Sequence, residues 1–177
     1  MSMLNIALFG PPGAGKGTQS KFLMDKYKMA YIATGDMLRS EIDEGSKLGL
    51  QVKDVIAKGE LVPDEMIVKL IEKKIKHSPS ARGFLFDGFP RTIVQAYILE
   101  GILLRFNSSL SCMLGLDVPD EEITKRLINR AKDSGRSDDR EDVIKHRLVE
   151  YYDKTRPVAD FYMEKKKYHP IDGVGEI

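Results

Sequence analysis

Short apolar runs alternate with longer amphipathic stretches along this chain. Leu4, Ile6, Ala7, Leu8 and Phe9 make the first run, and Ala30-Tyr31-Ile32-Ala33, Gly83-Phe84-Leu85-Phe86 and Leu110 to Leu116 make three more; Tyr168 to Ile171 reads as a last strand. Runs this short, apolar without alternation, predict strands buried on both faces. The stretches between them carry helical patterns. Gln19 to Tyr27 holds the apolar pair Phe22 and Leu23. Asp36 to Glu44 and Lys47 to Lys58 are separated by Gly45, and Gly59 stops the second. Pro63-Asp64 opens a helix over Glu65 to Lys76, with Ile67, Leu70, Ile71 and Ile75 as its apolar stripe. Further helices are predicted over Thr92 to Leu104, Pro119 to about Arg130, Asp139 to Tyr152 and Pro157 to Lys165. His77-Ser78-Pro79-Ser80 reads as a loop, and Ala131 to Asp138 is polar with no apolar period.

Strands alternating with helices predict an α/β fold, with a five-stranded parallel sheet covered by helices on both faces. In such a sheet ligands bind beyond the carboxyl ends of the strands. Three polar clusters fall there: Gly10 to Thr18, Thr34-Gly35-Asp36, and Asp87-Gly88-Phe89-Pro90-Arg91.

The first cluster is the most specific. Gly10-Pro11-Pro12-Gly13-Ala14-Gly15-Lys16-Gly17-Thr18 joins a strand to a helix, the context in which a phosphate loop works. Glycines let backbone N–H groups converge on one point, the helix N-terminus adds partial positive charge, and Lys16 supplies a full one. One position departs from the general pattern. Gly17 stands where a Ser or Thr normally holds Mg²⁺, and Thr18 follows one residue later, so phosphates and water are expected to supply most metal ligands.

Composition narrows the setting. With 177 residues the chain is expected to form one domain with a small insert or two. Lys and Arg number 28 against 27 Asp and Glu, so no global field draws in nucleic acid or membrane, and anion binding must come from local placement. Cys112 is the sole cysteine, which excludes an internal disulfide and a cysteine-rich zinc site; it reads as a core residue. Neither a membrane-spanning run nor a signal peptide is apparent, and a reducing cytoplasm is the expected location. Met3, after Met1-Ser2, is a candidate natural start.

Charged residues near the strand ends suggest the chemistry. Asp87 ends a buried strand, where its carboxylate can reach a nucleotide's metal directly or through water; capping the following turn is the alternative. Arg91 follows, and its planar fork suits phosphate. Arg126 and Arg130 share a helix face, Arg136 lies in the polar segment and Arg147 on the next helix. Singly, such arginines are solvated surface charges. Converging with Arg39 and Arg91, they would match the charge of two nucleotides.

At this point the motifs carry a resemblance. The Gly-Lys-Gly-Thr loop, Thr34-Gly35-Asp36-Met37-Leu38-Arg39, Asp87-Gly88-Phe89-Pro90-Arg91-Thr92 and Ser134-Gly135-Arg136-Ser137-Asp138-Asp139 occur in this order. From about Leu4 to Ile177 the chain resembles adenylate kinase in its short-lid form, within the nucleoside monophosphate kinases. The resemblance implies reversible transfer of the γ-phosphoryl group of Mg·ATP to AMP, giving two ADP. It also implies a P-loop kinase core over 1–35, 64–130 and 139–177, an AMP-binding insert over 36–63 and a short lid over 131–138.

By the same resemblance Gly13, Ala14, Gly15, Lys16, Gly17 and Thr18 would hold ATP phosphates, with Arg126 and Arg130 adding charge and Gly175 beside the adenine. Thr34, Arg39, Glu60, Leu61, Val62, Gly88, Phe89, Pro90, Arg91 and Gln95 would hold AMP, joined by Arg136 and Arg147 when the lid closes. Lys16, Arg91, Arg130, Arg136 and Arg147 would be catalytic, and Thr18 and Asp87 would serve Mg²⁺ through water. ATP, AMP and ADP are the implied partners, with no zinc, no nucleic acid and no membrane, and a monomer is expected. Long-lid relatives use an extra hairpin that can carry four metal-binding cysteines, which a single cysteine rules out. The chain stops at Gly175-Glu176-Ile177, where the family continues into a C-terminal helix on the sheet; exposed core surface is the expected consequence.

Some residues keep a second reading. Thr92-Ile93-Val94-Gln95 has capping-box spacing, which by itself makes Gln95 the closure of a helix start; the resemblance puts it on the adenine edge instead. Asp138 and Asp139 are expected to pair with lid arginines, with Asp139 alternatively an N-cap backed by Asp142. A phosphate-oxygen nucleophile is already anionic, so His77, His146 and His169 are expected bystanders. A UMP- or CMP-type kinase is the near rival. A guanine-binding switch is the distant one, and its Asn-Lys-x-Asp base reader is missing from the sequence.

Overall fold

The computed structural model describes residues 3–134, 136, 138 and 140–175. Five parallel strands, β1 (Ile6–Phe9), β2 (Ala30–Ala33), β3 (Phe84–Asp87), β4 (Cys112–Asp117) and β5 (Tyr168–Asp172), lie in the order β2-β3-β1-β4-β5. β1 is central. Ile6 pairs with Leu85 and Cys112, and Ala7 with Phe86 and Met113. Alternate residues therefore feed two apolar faces. Ala7 and Phe9 join Ile32, Phe84, Phe86 and Met113 on one, and Ile6, Leu8 and Leu85 form the other.

Eight α-helices are described: α1 (Lys16–Tyr27), α2 (Thr34–Asp43), α3 (Lys47–Ala57), α4 (Asp64–Lys76), α5 (Ile93–Arg105), α6 (Asp120–Ser134), α7 (Glu141–Glu150) and α8 (Pro157–Glu164). The stripe Ile67, Leu70, Ile71 and Ile75 of α4 is buried as its spacing predicts, in the larger core. Each such side chain contributes about 1.5–3 kcal/mol on burial. Four of them rival the net stability of a whole domain, about 5–15 kcal/mol, which is why this period is so legible. Helix α1 covers the opposite face through Leu23 and Met24. Phe22, the other member of the apolar pair with Leu23, is 58% exposed. A third cluster, Ala14, Leu116, Val118, Ile123, Leu127 and Ile144, ties the glycine loop to α6 and α7.

Several boundaries differ from expectation. α1 begins at Lys16, not Gln19, because Gly15 at φ 95° hands the loop directly to the helix. α2 begins at Thr34. α6 continues to Ser134, four residues into the polar segment expected as lid. Ala131 and Lys132 are good helix formers, and intrinsic propensity carries the helix on where the sequence shows no apolar stripe. A π-helical turn, Tyr151–Thr155, joins α7 to α8 where a break was expected after Tyr152. Arg140 is the N-cap of α7, and Asp139, expected to pair with a lid arginine or alternatively to cap this helix, lies outside the described residues.

One buried polar residue fastens the base of the sheet. The Asn5 side chain donates to Ser108 Oγ at 2.7 Å and to the Ser109 carbonyl at 2.9 Å, and accepts from the Phe84 N–H at 3.1 Å. No helix among the described residues is long and apolar enough to cross a membrane.

Candidate functional site

The carboxyl ends of β1, β2 and β3 open into a cleft of about 1060 Å³. That lies at the upper end of the range of small-molecule sites, about 300–1,000 Å³, and leaves room for more than one nucleotide-sized ligand. The glycine loop forms part of its wall, with Gly13, Ala14, Gly15, Lys16, Gly17 and Thr18 all lining it. Gly13 has φ +85°, and a Cβ there would meet Leu127 Cγ at 2.8 Å, so α6 packs directly against loop backbone.

Lys16 folds back over the loop. Its Nζ donates to the carbonyls of Gly10 at 2.8 Å and Pro11 at 2.9 Å. Burial of the ammonium lowers its pKa from 10.5 to about 8; Asp87 opposes the shift, while Arg91, Arg147 and Arg130 add to it. The loop lysine and three arginines from separate elements therefore act on one another in one place. Burial also lowers the pKa of Arg91 and of Arg136, with Arg39 pushing both the same way and Arg130 pushing Arg136. A polyanion seated here would relieve this mutual repulsion.

Carboxylates hold part of the cluster. Asp138 is 5% exposed and accepts from Arg147 at 2.7 Å. Asp36 accepts from Arg39 at 2.5 Å and from Arg136 at 3.5 Å. Asp87 accepts from the Tyr31 hydroxyl at 2.9 Å. Burial, then Asp87, raises the Tyr31 pKa, so the phenol keeps its proton.

The other predicted residues fall into two wall groups. Arg126 and Gly175 line the cleft beside the loop; Arg126 Nε donates to Glu122 at 2.8 Å and its Nη2 to the Gly173 carbonyl at 3.0 Å. Thr34, Arg39, Glu60, Leu61, Val62, Gly88 and Arg91 line it with the apolar Leu38, Ile56 and Ile67. Thr34 Oγ1 donates to the Gly88 carbonyl at 2.9 Å, and Arg91 Nε donates to the same carbonyl at 2.8 Å. A Cβ on Gly88, at φ +79°, would meet Arg91 Nη2 and Thr34 Oγ1 at 2.8 Å each. Arg130, Arg136, Arg147 and Asp87 line it as well.

Three predicted AMP-binding residues stand behind this wall. Phe89 belongs to the core at 1% exposure, and Pro90 is buried next to it. Gln95, also 1% exposed, accepts at Oε1 from the Arg91 N–H and donates from Nε2 to Asp64 Oδ1, both at 2.7 Å. Its own N–H donates to the Thr92 hydroxyl at 3.1 Å, so the capping geometry is present. The described cleft lining includes none of the three histidines.

Tyr31 and Asp36 line the cleft and were missed as site residues. The parallel pairing of β2 with β3 sets Ala33 opposite Asp87, and assuming that register would have brought Tyr31 to notice. Among the described residues no group of three or more His, Cys, Asp or Glu is arranged to hold a metal.

The sequence model of the adenylate kinase family matches residues 8–167. The chain is 47% identical to an adenylate kinase of Bacteroides thetaiotaomicron, over 98% of its length and 92% of the relative's. It is 43% identical to adenylate kinases of Flavobacterium psychrophilum, over 99% and 93% of the two chains, and of Leptospira biflexa, over 99% and 94%.

Proposed function

The chain belongs to the adenylate kinase family, and from that premise we propose how its cleft seats ATP and AMP together. Its activity is that of an ATP:AMP phosphotransferase, working with Mg²⁺ and yielding two ADP. In our reading Gly13 to Thr18 turn their amides toward the ATP phosphates, Lys16 and Arg130 take the charge of the transferred group, and Arg126 and Gly175 border the adenosine. Thr34, Arg39, Gly88 and Arg91 hold AMP, and Glu60, Leu61 and Val62 form the wall of its base slot. Gln95, buried behind this wall, would meet the base edge once the insert shifts to admit AMP. Phe89 and Pro90 support this wall from behind.

The attacking AMP phosphate oxygen is anionic at neutral pH, so no general base is required. Catalysis then consists of aligning two phosphates and neutralising charge on the transferring group. Lys16, with a pKa of about 8, still carries its proton at neutral pH. Asp36 and Asp138 hold Arg39, Arg136 and Arg147 close to the positions the phosphates would occupy, which limits the reorganisation needed on binding.

Hard carboxylate and hydroxyl oxygens suit Mg²⁺. Asp87, oriented by Tyr31, and Thr18 would hold the ion through water, and the ion would neutralise charge on the β- and γ-phosphates. Two segments would move to exclude water: the insert 36–63, built on α2 and α3, and the short lid over 131–138, whose first four residues continue α6. One chain supplies both wall groups, so a monomer suffices.

The carrying observation is that Lys16, from the phosphate loop, lines one cleft with Arg91, Arg130 and Arg147 from three other parts of the chain. Lys16→Met is expected to lower kcat for ADP formation from ATP and AMP by orders of magnitude, with the circular dichroism spectrum unchanged. A near-normal kcat would show that the loop does not hold the reacting phosphates.

A further inference from the structure

We propose that Asp64 is a positioning residue for base selection: it fixes which way round the Gln95 side-chain amide is held. The proposal rests on the reading above in which Gln95 meets the AMP base.

A glutamine amide places a carbonyl acceptor beside an N–H donor, and the two ends have almost the same shape. Adenine offers a ring-nitrogen acceptor beside an amino donor. Hypoxanthine, with the same outline, offers a ring N–H donor beside a carbonyl acceptor. Turning the amide over by half a turn converts a match for one into a match for the other. A loosely held glutamine would read both bases, so selection requires a fixed orientation.

Here both ends are fixed by partners that admit one orientation. The Arg91 N–H can only donate, and it meets Oε1 at 2.7 Å. The Asp64 carboxylate can only accept, and it meets Nε2 at 2.7 Å. Turned over, the amide would set N–H against N–H and oxygen against carboxylate. One lone pair and one hydrogen are used in these contacts, leaving one of each for a base.

Helix capping does not explain this geometry. In a capping box the side chain at the third helical position returns to the N–H of the cap residue itself. Gln95 reaches past its cap, Thr92, to Arg91, and then across 31 residues to Asp64. Nor is Asp64 needed for the α4 dipole alone, since Glu65 beside it serves the same first turn. Location supports a ligand role. Asp64 follows Val62-Pro63, and Val62 and Arg91 both line the cleft, so cleft-wall residues flank the amide on both sides.

The test compares kcat/KM for AMP and for IMP, with ATP as donor, in the natural protein and in Asp64→Ala, Asp64→Asn and Gln95→Ala. Asp64→Ala is expected to reduce the AMP-over-IMP ratio about tenfold, the scale of one charge-assisted hydrogen bond. The change should appear as a higher KM for AMP and a lower one for IMP, with KM for ATP unaltered. Asp64→Asn, whose amide can turn either to accept from Nε2 or to donate to Oε1, should also lose much of the ratio. An unchanged ratio in Asp64→Ala or in Asp64→Asn overturns the proposal. If Asp64→Ala does not fold, Asp64→Ser, too short to reach Gln95, replaces it with the same expectations. Gln95→Ala separates the two levels. Loss of selection there, with none in Asp64→Ala, removes only the role of Asp64; no loss in Gln95→Ala removes the base contact itself.

Discussion

Lys16 carries its charge where charge is costly. Its pKa of about 8, against 10.5 for an ordinary lysine, means that between these pH values the unfolded chain binds more protons than the folded one. The contribution of this group to folding stability therefore improves as pH rises from about 8 to 10.5. ATP reverses the preference, because anionic phosphates favour the ammonium. Binding should take up a proton above pH 8, and the Kd for ATP should rise toward about tenfold per pH unit there while staying flat below. Calorimetric titrations from pH 6.5 to 9.5 measure this. A flat profile in the natural protein, or the same rise in Lys16→Met, would contradict it. At this scale the glycines, lysine and arginines were legible because their chemistry is written in residue type and local spacing. Tyr31 and Asp64 were not, because their partners lie 56 and 31 residues away.

Elements were legible where a buried stripe fixes a period. The stripe of α4 reads directly from sequence, the four apolar runs become strands, and Tyr168 to Ile171 lies in β5, most of which is exposed. The pattern fails where a helix runs on without an apolar stripe, as at the end of α6, and where one helix flows into another, as in the π-helical turn at Tyr151–Thr155. It also hid Asn5, a polar residue inside an apolar run whose hydrogen bonds reach β3 and the approach to β4. Asn5→Ala would leave the buried Phe84 N–H without its acceptor and is expected to cost about 2–4 kcal/mol in urea unfolding. Asn5 precedes β1, whereas the cleft opens beyond the strands' carboxyl ends, so kcat and both KM values should hold at 25 °C. A loss below about 0.5 kcal/mol would mean that this fastening contributes little to the sheet.

On the scale of the whole molecule, 28 basic and 27 acidic side chains nearly cancel, while the described cleft lining holds eight cations, among them Lys16, Arg39, Arg91, Arg130, Arg136 and Arg147, against six carboxylates. That local excess of positive charge follows from parallel topology, which brings the ends of β1, β2 and β3 together while α6 and α7 deliver Arg130 and Arg147. Order along the chain foretold the separate pieces; their convergence on Lys16 required the fold. The central claim, two adenine nucleotides bound end to end across one cationic cleft, has a direct measurement. Calorimetric titration with two adenosines joined by five phosphates should give one molecule bound per chain, and the saturated protein should no longer bind either ATP or AMP. Saturated protein that still takes up AMP with its original affinity would contradict the claim.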